Sequence, residues 1–66
     1  QFDNAKTTYT ELLRQDAKYW DGYIELGKVC MALNDNHMAE AYFEQVKAKN
    51  PGYRTSEIDA LLSQIR

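Results

Sequence analysis

Two short spacings constrain this chain more than anything else in it. The first is Tyr23-x-x-Leu26-Gly27-x-x-Cys30; the second, after a polar break, is Ala39-x-x-x-Phe43 followed by Pro51. Residues three and four apart share one face of a helix, so each set lays down a narrow apolar stripe. Two helices reach the short end of the usual spacing, roughly 8–10 Å, only where small side chains meet at the crossing. Gly27 opposite Ala39 supplies that gap, and Leu26 and Phe43 fill the space on either side. Pro51 cannot continue a helix and biases Asn50 away from helical angles, so it ends the second element. A close-packed antiparallel helix pair is the expectation.

The rest of the chain keeps the helical period, and its breakers divide it into four helices. The first covers roughly residues 2–14, with Phe2, Ala5, Tyr9, Leu12 and Leu13 on one face, and Gln15-Asp16-Ala17-Lys18 as the turn. The second covers roughly 20–33 and carries Tyr23, Leu26, Gly27, Cys30, Met31 and Leu33. Asn34-Asp35-Asn36 is a tight loop with Asp35 or Asn36 as N-cap. The third helix, roughly 37–49, carries Ala39, Tyr42, Phe43 and Val46; the fourth, roughly 56–66, carries Ile58, Leu61, Leu62 and Ile65. Ser56-x-x-Asp59 reads as a capping box with Asp in place of Glu. No strand signal interrupts this all-α pattern.

Comparing the chain with itself adds a period. A shift of 34 residues brings Ala5 onto Ala39, Tyr9 onto Phe43, Leu12 onto Val46 and Tyr19 onto Tyr53. A shift of 35 brings Tyr23, Leu26, Gly27 and Cys30 onto Ile58, Leu61, Leu62 and Ile65, so the last helix keeps the stripe but puts leucine where the glycine stands. That suits a helix covering an edge with no hairpin partner behind it. Tyr23, Leu26, Gly27, Cys30, Ala39, Phe43 and Pro51 stand at the signature spacing of the tetratricopeptide repeat, and the chain resembles the C-terminal end of such a domain. Three segments are expected: 1–19, the second helix of an incomplete repeat and its turn; 20–53, one complete repeat; and 54–66, a capping helix.

The resemblance implies an α-solenoid of antiparallel helix-turn-helix repeats whose concave groove is lined mainly by the first helix of each repeat. It implies an adaptor that binds a peptide or helix of a partner protein, with no catalysis and no cofactor. The groove residues of the complete repeat would be Asp21, Ile24, Glu25, Lys28, Met31 and Ala32. One subgroup of the family grips the C-terminal carboxylate of chaperone tails with lysines and asparagines. Here the corresponding slots hold Ile24, Lys28, Glu25 and Ala32, so only Lys28 could contribute. A carboxylate needs several convergent donors to offset its desolvation, and that specificity is not expected.

Composition excludes more than it assigns. Sixty-six residues give a small core, and with one cysteine no disulfide within the chain can reinforce it. Eight basic and ten acidic residues are well mixed, with no basic stripe for nucleic acid. No apolar run approaches the ~20 residues of a membrane span, and no signal-peptide pattern opens the chain; the compartment stays open, with a cytoplasmic setting favoured. The start at Gln1 rather than Met reads as either an excised piece of a longer protein or a processed product, and in both cases targeting signals would have been cut away.

His37 near Asp35 is read as loop and cap rather than as a site, and Cys30 and His37 are too few for structural zinc. Cys30 is read as a buried, inert thiol. Trp20 and Tyr19 either staple the first turn or form an exposed contact surface. Ile24 with Met31 suggests an apolar ligand stripe. The first helix has no repeat partner, so Phe2 and parts of Tyr9 and Leu13 are expected to lie uncovered. That makes self-association, or packing on another domain of a parent protein, the second functional reading.

Overall fold

The computed structural model describes the backbone of residues 2–66 and the side chains of residues 4–66; the expected edge at Phe2 lies outside the described side chains. Four helices follow one another: α1 (Phe2–Gln15), α2 (Trp20–Ala32), α3 (Asn36–Lys49) and α4 (Thr55–Ile65). Turns of a few residues oblige each to run back along its predecessor, giving antiparallel hairpins in a slab of 27 × 25 × 14 Å. Every expected boundary lies within one residue of the observed one.

The α2–α3 hairpin is the centre of the molecule. Tyr23, Ile24, Leu26 and Cys30 of α2 and Ala39, Phe43 and Val46 of α3 are buried, joined by Leu13 from α1 and by Ile58 and Leu62 from α4. Gly27 allows the close crossing, but its neighbour differs from the expected Ala39. A Cβ built on Gly27 would stand 2.7 Å from Cζ of Phe43, so the missing side chain makes room for an aromatic ring. Gly22 does the same for α1: a Cβ there would stand 3.1 Å from a Leu13 methyl and 2.8 Å from the Tyr19 ring. The expectation that parts of Tyr9 and Leu13 lie uncovered is corrected for Leu13 and holds for Tyr9, which is half-buried. Leu13 is buried and Tyr9 packs on the core, whereas Leu12 is the apolar residue of α1 left 40% exposed.

The turns explain where the helices stop. Asn34 takes a left-handed conformation, φ 62°. The Asp35 N–H then donates to the Cys30 carbonyl at 2.8 Å and the Asn34 N–H to that of Met31 at 3.0 Å, the paired bonds of a Schellman C-cap. Asp35 goes on to cap α3, its carboxylate accepting from the Met38 N–H at 3.4 Å. The capping box expected at Ser56 and Asp59 does not form. The chain leaves Pro51 through Gly52 (φ 94°) and Arg54 (φ 49°), so α4 begins at Thr55 and Ser56 already lies inside it. The Thr55 hydroxyl accepts from the Gly52 N–H at 2.9 Å, and Asp59 pairs with Lys47 of α3 at 2.7 Å.

Candidate functional site

Residues 21, 25, 28 and 32 recur at helical spacing along one side of α2. Asp21, Glu25, Lys28 and Met31 are half-buried and Ala32 is exposed. Ile24 is the exception and is corrected: it is fully buried in the same core cluster as Ile58 and Leu62, because α4 docks on the hairpin and the core closes over this position. An apolar stripe of Ile24 with Met31 therefore does not present itself to a ligand.

The open part of this side is charged and internally bonded. The Tyr53 hydroxyl donates to Asp21 at 2.6 Å, and the Arg54 guanidinium donates to the same carboxylate oxygen at 2.8 Å. Arg54 also holds Glu57, with Nη2 at 2.6 Å from Oε2 and Nε at 3.0 Å from Oε1. Glu57 in turn lies 3.1 Å from the Lys28 ammonium, which is 3.4 Å from Glu25. Three carboxylates and two cations thus form one chain of contacts from the start of α2 to the start of α4.

The electrostatics follow the contacts. The Tyr53 hydrogen bond, then Arg54, hold the Asp21 carboxyl below its ordinary value, and Arg54, then Lys28, do the same for Glu57. The Lys28 ammonium is pushed up, chiefly by its bond to Glu57. Two of its three N–H donors thus face Glu57 and Glu25, and no second cation on α2 stands beside it.

Tyr53, Arg54 and Glu57 were not among the residues expected here. Arg54 reaches Asp21 from a left-handed backbone that costs a non-glycine residue roughly 1–2 kcal/mol, and no spacing in the sequence announces that turn.

The remaining candidates separate cleanly. Cys30 is fully buried and burial pushes its thiol up, away from the reactive thiolate. His37 is exposed at the start of α3, while Asp35 is occupied as a cap and lies 4.0 Å from Lys6. Among the described residues no group of His, Cys, Asp and Glu could hold a metal ion, and no helix is long and apolar enough to cross a membrane.

Away from the charged side, Trp20 stacks on Tyr23, with ring centroids 5.8 Å apart and planes at 27°. They border a depression of about 220 Å³ lined also by Ala17, Lys18, Gln45 and Lys49. Tyr19 covers Gly22 with one edge of its ring while its residue as a whole stays 41% exposed, so the aromatic pair at the turn both staples it and reaches solvent.

A family model described as Tetratricopeptide repeat matches residues 1–65. No curated protein and no solved structure matches the chain.

Proposed function

The chain belongs to the tetratricopeptide repeat family, a non-catalytic repeat that mediates protein–protein interaction, and from that premise we propose that it binds a peptide or helix of a partner protein through the open side of α2. Residues 20–53 act as one complete repeat, 1–19 as the second helix of a preceding one, and 54–66 as a closing helix. Asp21, Glu25, Lys28, Met31 and Ala32 form the contact surface, extended by Arg54 and Glu57.

The observation that carries this reading is the bonded chain from Asp21 to Glu25. Its side chains already hold one another through hydrogen bonds and ion pairs, which restricts their rotamers and lowers the conformational entropy lost when a polar segment docks. Selection of binding peptides against the intact chain, followed by amide shift mapping, tests it. Shifts should concentrate at residues 21, 25, 28, 31 and 32, and Lys28→Glu should weaken binding. Shifts confined to α1 would overturn the reading.

The second reading, self-association through α1, draws on the exposed Leu12. Sedimentation of wild type and Leu12→Glu distinguishes it: a concentration-dependent dimer abolished by Leu12→Glu supports it, and a monomer throughout removes it.

A further inference from the structure

We propose that the depression beside Trp20 is a second protein-binding site, one that takes an acidic side chain next to an aromatic or aliphatic one on a partner polypeptide. The first ground is charge. Of the eight lysine and arginine side-chain cations in the chain, six lie within 4.0 Å of a carboxylate. The two whose ammonium groups have no such partner among the described residues are Lys18, in the α1–α2 turn, where its backbone N–H donates to Asp16 at 3.1 Å, and Lys49, in the last turn of α3. One precedes α2 and the other closes α3, so the antiparallel hairpin brings them to the same end, where they border the same depression.

The second ground is the floor. Trp20 and Tyr23 stack there, and the Gln45 amide donates to the Tyr23 hydroxyl at 3.4 Å. That bond holds the rim to the floor. Tryptophan and tyrosine offer large contact area with few rotatable bonds, which is why they recur as anchors of protein contacts.

The third ground is size. A volume of about 220 Å³ falls below the ~300–1,000 Å³ of small-molecule sites. It accommodates one or two side chains of a peptide. Two cations above an aromatic floor complement a carboxylate adjoining an apolar group, and they oppose a basic segment.

This site is independent of the surface proposed above. Tyr23 lies about half a turn round α2 from Asp21, Glu25 and Lys28, given 100° per residue. A ligand can therefore occupy one without touching the other.

Trp20 is the only tryptophan in the chain, so its emission reports occupancy directly. The probe is a capped Gly-Glu-Phe-Glu-Gly peptide titrated against the intact chain, beside the same peptide with both Glu replaced by Gln. Exposed lysine–carboxylate pairs are individually weak, so a dissociation constant of roughly 0.1–1 mM is expected. The Gln peptide should bind about tenfold more weakly, and so should the acidic peptide to Lys18→Glu/Lys49→Glu. Binding should also fall as salt is raised.

No saturable change in emission up to roughly ten times that range, or equal binding of the Glu and Gln peptides, overturns the site. Because the peptide comparison uses the unaltered protein, it stands even if the charge-reversed variant folds poorly. Lys28→Glu separates the two surfaces. Weakened binding there, with none in Lys18→Glu/Lys49→Glu, would move the peptide to the other side of α2 and overturn the site beside Trp20.

Discussion

A single absent side chain sets the geometry of the central hairpin. Alanine is a better helix former than glycine by about 1 kcal/mol, so on propensity alone Gly27→Ala would stabilise α2. The Phe43 ring decides otherwise: it is fully buried, packed on all sides, and would lie 2.7 Å from the new Cβ at its Cζ. Overpacking of that kind costs about 1–3 kcal/mol, so Gly27→Ala should show a net loss in urea or thermal unfolding and Gly27→Leu a larger one. An unchanged melt for both would mean that the ring moves aside freely. The need for a small residue at 27 was legible from its place inside an apolar stripe. Its partner was not, because spacing along two helices does not fix how far one slides along the other, and the slide puts Phe43 rather than Ala39 over the gap.

At the level of the element, α4 differs from its predecessors in what holds it. It buries Ile58 and Leu62, packs Leu61 and Ile65 partly against the core, and adds ion pairs: Glu57 with Lys28, Asp59 with Lys47, and Arg66, just past its end, with both Glu40 and Glu44. Exposed pairs contribute about 0–1 kcal/mol each and are screened by salt, so α4 is docked more weakly than α2 and α3 are on each other. The turn before it adds a pH dependence. Asp21 and Glu57 sit below their ordinary values, so the folded chain favours their ionised forms. Their contribution is present above the ordinary carboxylate range, about 4, and is lost as pH falls through the lower folded values. Asp21→Asn should therefore give a shallower acid limb in a plot of melting temperature against pH, together with a lower melting temperature at neutral pH. Superimposable curves would mean that the Tyr53 and Arg54 bonds to Asp21 contribute nothing to folding. None of this could be seen in the sequence. The start of α4 was expected from Ser56 and Asp59, but capping also depends on backbone angles, and the left-handed Arg54 shifts the start by a residue and redirects Asp59 to Lys47.

For the whole molecule, helix order and boundaries were legible because short polar segments separate the apolar stripes. The exposure of individual residues was less so. Ile24 was assigned to an open side by its position in one repeat, yet burial is a property of the assembled chain, and the docking of α4 closes the core over it. The same nearest-neighbour construction orders the stabilities. Amide hydrogen exchange should be slowest in α2 and α3, faster in α1 and α4; uniform protection would show that the four helices open as one unit.

The antiparallel train of hairpins also sets how the molecule would answer a pull on its two ends. Tension reaches the peripheral helices first, and each can peel away without breaking the contacts of the next pair. Extension would then proceed in small, reversible steps, with the α2–α3 hairpin kept as the seed on which the outer helices wind back.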